Sequence, residues 1–194
     1  LSTVTETSAN APSAQVEDLQ RRILTAFHVV AIPVGEHFAL IDEVDADRVA
    51  PRRWRAKFDA NGLVYAYTRA SSGAILYMHR LILDAPSGLE VDHRNCDGLD
   101  NRRDNLRLAT RSQNSANSRK SGWYAGRRTS SIYKGVQKHG QCAGWQARIT
   151  VDGKLRHLGM FANEVDAARA YNAAALERWG EFARLNIIPD EATS

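Results

Sequence analysis

The sequence is poor in the residues that staple a chain together from outside a hydrophobic core. It has two cysteines, Cys96 and Cys142, far apart and in no Cys-x-x-Cys pair. That argues against a zinc ribbon and a disulfide framework, and a reduced, cytoplasmic setting is expected. Long apolar runs are missing as well: nothing approaches the roughly 18 residues of a membrane helix. The first residues lack the basic-then-apolar order of a secretory signal. Acidic residues are scarce in one region, since positions 101–160 hold 13 Lys and Arg against 2 Asp and Glu. Residues 1–50 reverse this with 3 basic and 8 acidic side chains, so the net charge of +4 hides a strong asymmetry. A basic block on a folded surface attracts polyanions by releasing counterions, which makes nucleic acid the leading partner class. A solvated charged surface is the plain alternative.

What is present suits one domain or two small ones in 194 residues. Residues 1–15 are small and polar, and Leu19, Ile23 and Phe27 are four apart, so residues 1–27 are expected to be a disordered segment with one short helix. From His28 the text turns β-rich. "HVVAIPVGEHFALID" suggests a hairpin about Gly35-Glu36, and "GLVYAYTRASSGAILYMHRLIL" a second about Ser71-Ser72-Gly73. Trp54, Tyr65 and Tyr67 are expected in a core or on a sheet face. A Gly-, Ser- and Arg-rich break over 121–130 looks like a basic linker. Beyond it, "IYKGVQKH", "GWQARITVDG" and "KLRHLGMF" form three strand candidates, with turns at Gly140 and Asp152-Gly153. "NEVDAARAYNAAALERWG" then carries a helical stripe of Val165, Ala168, Tyr171 or Asn172, Ala175 or Leu176, and Trp179, between an Asn163 N-cap and Gly180. The fold class expected is α+β in two modules, residues 28–120 and 131–188, with a tail over 189–194.

The stretch "VDHRNCDGLDNRRDNLRLATRSQN" is too polar for core. It scans as a short strand reaching Asp92, a loop through Asp104, a second strand "LRLA", and a helix starting near Arg111. Thr110 and Gln113 have capping-box spacing. Asn114, in the first turn, is expected to face the strand of Asp92. Phosphodiester hydrolysis needs a base for water and a cation for the charge that builds on phosphate. A neutral imidazole suits the first task, and carboxylate plus amide oxygen suit Mg²⁺ better than Zn²⁺.

With "MHRLI" upstream, "EVDHRNCDGLDNRRDNLRLATRSQNSANSRK" resembles the HNH nuclease family, in particular its phage and intron-encoded homing branch with a ββα-metal fold. The resemblance covers roughly residues 28–120. It implies Asp92 as metal ligand, His93 as general base, Asn114 as second ligand, and Asn105 as the residue that pins the loop. Asn117, one turn further on, is a rival to Asn114. The cation implied is Mg²⁺, or another divalent ion such as Mn²⁺. Arg94, Arg102, Arg103 and Arg107 are expected to clamp phosphates, and Arg119, Lys120, Arg127 and Arg128 to track the backbone. His79 stands evenly between a role at the site and that of a satisfied strand histidine.

Residues 131–187 resemble the plant ethylene-response-factor (AP-two type) DNA-binding domain. Tyr133-Lys134-Gly135-Val136 matches its first strand, Trp145, Ala147 and Ile149 its second, and Leu158-Gly159 with Phe161 its third. "DAARAYNAAAL" matches its helix. The resemblance implies a three-stranded sheet in the major groove of double-stranded DNA, with Lys134, Lys138, Trp145, Arg148, Lys154 and Arg156 as candidate contacts. Lys134, Arg148 and His157 depart from the residues usual at those positions, so base specificity does not transfer. Together these features predict a metal-dependent DNA homing endonuclease of a phage or mobile element, which would nick as a monomer and could break both strands as a dimer, acting in a bacterial or phage-infected cell. A DNA-binding regulator with an inactive nuclease fold is the alternative.

Overall fold

The computed structural model describes residues 28–189 except 61, 121, 125, 126, 141 and 142. The helix expected around Leu19–Phe27, Cys142 and most of the tail lie outside these residues. The protein mixes α and β structure in small antiparallel sheets.

The N-terminal module opens with the hairpin β1 (Val29–Val34) and β2 (His37–Asp42), in which Val34 pairs with His37 across Gly35. Gly35 has φ +65°, the region its missing Cβ makes accessible. A short helix α1 (Ala46–Val49) leads to β3 (Arg55–Phe58), β4 (Val64–Arg69) and β5 (Ile75–Tyr77), a three-stranded sheet in that order. The second hairpin is therefore a larger sheet than expected, because Arg55–Phe58 adds a strand. Its last strand also stops early. Met78–Ile82 is a helix, α2, instead of a continuation of β5. Met78, His79 and Ile82 are all buried, an i, i+1, i+4 spacing that a helix brings to one side, whereas a strand would turn the adjacent Met78 and His79 to opposite faces. Trp54 sits in the core as expected, its indole N–H donating to the Val49 carbonyl at 2.9 Å. Ile32, Val34, Ile41, Val49, Ala66, Met78 and Ile82 pack around it.

Next come β6 (Glu90–His93), β7 (Leu106–Ala109) and α3 (Arg111–Asn117). β6 and β7 pair antiparallel, with Asp92 opposite Arg107 and His93 opposite Leu106. The capping box at Thr110 and Gln113 is complete. Gly98 lets the intervening loop lie against β4: an added Cβ there would meet the Tyr65 ring at 2.6 Å.

The supposed linker is not featureless, since β8 (Trp123–Tyr124) and β9 (Arg127–Arg128) form a minimal hairpin. The C-terminal module follows as β10 (Val136–Lys138), β11 (Trp145–Val151), β12 (Lys154–Phe161) and α4 (Glu164–Trp179). β10 is shorter than "IYKGVQKH" promised because Gly135, at φ +75°, turns the chain hard against Tyr171. Asp152 and Gly153 both have positive φ, as the two-residue hairpin requires. Asn163 caps α4 by accepting from the Asp166 N–H at 2.8 Å, and Gly180 ends the helix at φ +53°. Ala167, Ala168, Tyr171 and Ala175 are its buried face, while Leu176 points outward.

Candidate active site

β4, β6, α3 and the segment after α3 enclose a cleft lined by Tyr65, Asp92, His93, Asn114, Asn117, Arg119 and Lys120. Asp92 and His93 are adjacent in sequence, and both are buried. The imidazole sits edge-on to His79 at 5.1 Å, beside Tyr65 at 5.8 Å, and its Nε2 faces Asn101 Oδ1 at 3.5 Å. An amide oxygen can only accept, so this weak contact favours hydrogen on Nε2 and a basic Nδ1. Burial lowers the His93 pKa, more than Asn101 and the Asp92 charge raise it. The ring is thus neutral at neutral pH, the state a proton acceptor needs.

Asp92 is held on both oxygens. Arg107 Nε donates to Oδ2 at 2.7 Å, and Asn117 Nδ2 donates to Oδ1 at 2.8 Å. Asn117 also donates to the His93 carbonyl at 2.8 Å. Here the geometry corrects the expectation about the helix. Asn114 does not turn to Asp92; its amide donates to Glu90 at 2.6 Å, two residues earlier on the strand. The helix crosses the strands at an angle, so the residue one turn later reaches the carboxylate. As a cation site Asp92 offers a hard carboxylate oxygen, which suits Mg²⁺ or Mn²⁺ completed by water and phosphate, whereas the Asn117 atom that meets it is the amide nitrogen, a donor and not a ligand. No cluster of three or more His, Cys, Asp or Glu suited to a metal occurs among the described residues.

Asn105 spans the loop. Its Oδ1 accepts from the Asn95 N–H at 3.0 Å and its Nδ2 donates to the Asp100 carbonyl at 2.7 Å. Buried Asp100 draws Arg102 into a two-pronged pair, with both bonds at 2.7 Å. Burial alone would raise the Asp100 pKa, but the Arg102 bonds take it below the usual carboxylate value. Arg103 grips Asp45 in the same way, at 2.8 and 2.7 Å. Arg94 pairs with Glu181 at 2.6 Å. The expected phosphate clamps Arg94, Arg102, Arg103 and Arg107 are therefore each engaged by a carboxylate. Asp45, Asp92 and Asp100 are buried, and a buried carboxylate without a partner costs several kcal/mol, so the nearest guanidinium is recruited to each. Glu181 is exposed, and its pair with Arg94 is a weak surface one. Arg119 and Lys120 are the cations that line the cleft, with Arg119 also donating to the Asn95 and Cys96 carbonyls. Burial, and then the charge of Arg148, lower the Lys120 pKa.

His79 belongs to α2. It stacks on Tyr77 at 5.3 Å with its Nδ1 buried and unpartnered among the described residues. Burial, followed by the charges of His93 and Arg80, pushes its pKa down to about 3. It is an apolar wall for His93, not a satisfied strand histidine.

Across the sheet of the C-terminal module, directly paired residues share a face. Ala147, Ile149 and Val151 are buried under α4. Arg156 pairs with Ile149, Lys154 with Val151, and Lys138 with Trp145, which packs against the core. Lys138, Trp145, Lys154 and Arg156 thus belong to the helix-side face, contrary to expectation. The open face presents Gln146, Arg148, Thr150, Leu155, His157 and Met160. A register shift between Ala147 and Arg148 sets this parity, and nothing in the residue string announces it. Lys134 is likewise diverted: its Nζ donates to the Ala116 and Ser118 carbonyls at 2.6 and 2.8 Å. Arg128 is exposed; the side chain of Arg127 lies outside the described residues. Asn101, Tyr65, Glu181 and Phe182 were missed as site residues. The first stood inside a polar run taken only as loop, and the last two are distant in sequence.

Comparison with known proteins places this geometry in context. Residues 77–116 match the HNH_3 family, described as HNH endonuclease. Over 114 residues the chain is 36% identical to an uncharacterized HNH endonuclease of Acanthamoeba polyphaga mimivirus, covering 58% of this chain and 56% of that protein. A 62-residue part is 46% identical to an AP2-like ethylene-responsive transcription factor of Arabidopsis thaliana, 31% of this chain but 12% of that protein. A 64-residue part is 42% identical to an APETALA2-like protein of Oryza sativa subsp. indica, of which it covers 14%. The chain spans about half of the viral relative and a small part of each plant protein. No solved structure matches it. These similarities support a nuclease of the HNH endonuclease type, and an AP2-like DNA-binding similarity in part of the chain.

Proposed function

We infer that the protein is a divalent-cation-dependent DNA endonuclease that makes one phosphodiester cut per active site. The convergence of a buried neutral imidazole, a carboxylate and an amide in one cleft carries this reading. His93 takes the proton as water attacks phosphorus, and the bond from phosphorus to the leaving oxygen breaks. Asp92 would hold Mg²⁺ or Mn²⁺, with the amide oxygen of Asn114 or of its rival Asn117 as second ligand. The cation would supply charge stabilisation to the phosphate and the departing oxygen. Asn105 keeps the loop closed, and Asn101 orients the imidazole.

The AP2-like similarity is assigned in this reading to residues 131–188. Arg148 on the open face, with Lys120 between sheet and cleft, would lead the DNA backbone toward His93. With one centre per chain, a monomer nicks and a dimer breaks both strands. A homing role in a phage or other mobile element fits this architecture. Plasmid cleavage with Mg²⁺ tests the reading: relaxation of supercoiled DNA by the parent and its loss in His93→Ala are expected. Cleavage by His93→Ala at the parent rate would remove the base from the mechanism.

A further inference from the structure

The C-terminal module touches the nuclease elements at the residues that carry the chemistry. α3 has only seven residues, so it has little stability of its own and takes its position from what it packs against. Three of its hydrogen-bond partners come from the other module, one of them the Arg184 N–H, which donates to the Ala116 carbonyl at 3.2 Å. Lys134 Nζ satisfies the Ala116 and Ser118 carbonyls, where the helix has run out of its own donors. Trp179 Nε1 donates to Ser112 Oγ at 3.1 Å near the opposite end. Between these anchors lies Asn117, in contact with Asp92.

The second bridge leads to the carboxylate itself. The Arg107 side chain, only 8% exposed, lies between Asp92 and the turn that follows α4. One face of its guanidinium meets the Phe182 ring, 4.0 Å from the centroid. Its Nη1 donates to the Glu181 carbonyl at 2.8 Å, while Nε and Nη2 point at Asp92. The nuclease module by itself would leave that guanidinium open to water, which weakens an ion pair severalfold by screening.

We propose that the C-terminal module is a working part of the nuclease centre: Phe182 and Glu181 position Asp92 through Arg107, and Lys134 positions Asn117 through the carbonyl end of α3. This rests on the nuclease reading above. None of these residues need touch DNA. They act as positioning residues, because displacing a reacting group by a fraction of an ångström slows chemistry without loosening binding.

The test uses the full chain. Single-turnover cleavage is measured at saturating DNA and Mg²⁺, and DNA dissociation constants are measured with Ca²⁺. Phe182→Ala and Lys134→Met should each lower the cleavage rate constant about tenfold, with affinity within about twofold of the parent. Phe182→Tyr, which keeps a ring on the guanidinium, should cut like the parent. Independently of activity, the Arg107 Nε–H resonance in 15N-labelled protein should be protected from exchange in the parent and lose that protection in Phe182→Ala. An unchanged rate constant, or a loss that vanishes on adding more DNA, overturns the proposal. Should melting show Phe182→Ala unfolded, Lys134→Met decides by the same criteria. If the parent does not cut at all, the nuclease reading fails, while Arg107 exchange still decides the positioning claim.

Discussion

Arg103 separates two accounts of the arginine-rich loop most sharply. The charge pattern makes it a phosphate clamp, whereas the structure closes it on Asp45, whose side chain is 1% exposed against 45% for Arg103. Arg103→Ala would strand that carboxylate in the core. Breaking a fully buried pair costs about 3–5 kcal/mol. The half-open guanidinium lets water reach one side, which reduces the expected loss to about 2–3 kcal/mol. At about 2–4 °C per kcal/mol for a chain of this size, melting should fall by about 4–12 °C. Adding Asp45→Asn, which discharges the stranded group, should restore part of the loss. The salt dependence of DNA binding should stay put, because removing a true phosphate contact flattens the log–log slope by about 0.9. Thermal melting and a salt titration of DNA affinity answer the question together. Unchanged melting with a flatter salt slope would refute the pairing argument and reinstate the clamp.

Two further outcomes follow from the site and the fold. His93 acts as a base only when neutral, and burial lowers its pKa below the ordinary 6.5, so cleavage should hold steady through neutral pH. It should fall with unit slope only on the acidic side of 6.5, and a single-turnover pH profile whose acidic limb lies above that value would contradict the burial argument. Gly135→Ala combines a φ of +75° with a Cβ driven into the Tyr171 ring, so it should cost about 2 kcal/mol or more. Calorimetry should show that loss, and a parent-like transition would mean the turn relaxes freely.

Legibility in the sequence followed the range of the interactions. Elements set by neighbours a few residues apart could be read directly: the capping box at Thr110 and Gln113, the Asp152-Gly153 turn, the Asn163 cap and the small-residue stripe of α4. The "MHRLI" helix is not legible because a short apolar run carries no period of its own, and joint burial of the adjacent Met78 and His79 with Ile82 resolves it. The extra strand Arg55–Phe58 was missed because its alternation is broken by charge and only its pairing with β4 identifies it.

What the sequence determined alone is the chemistry on offer: a carboxylate beside an imidazole, a loop, and a capped helix rich in amides, all within one short stretch. Covalent adjacency guarantees that Asp92 and His93 travel together, whatever surrounds them. Tertiary structure decided which amide meets the carboxylate, since helix crossing angle selects Asn117 over Asn114. It decided that Arg102, Arg103 and Arg107 answer to Asp100, Asp45 and Asp92, because buried negative charge must be compensated where it lies. And it decided that the second module reaches Arg107 through Glu181 and Phe182, a contact between residues remote in sequence. Local order specifies which groups exist; desolvation and packing, which depend on the whole chain, specify what each of them is free to do.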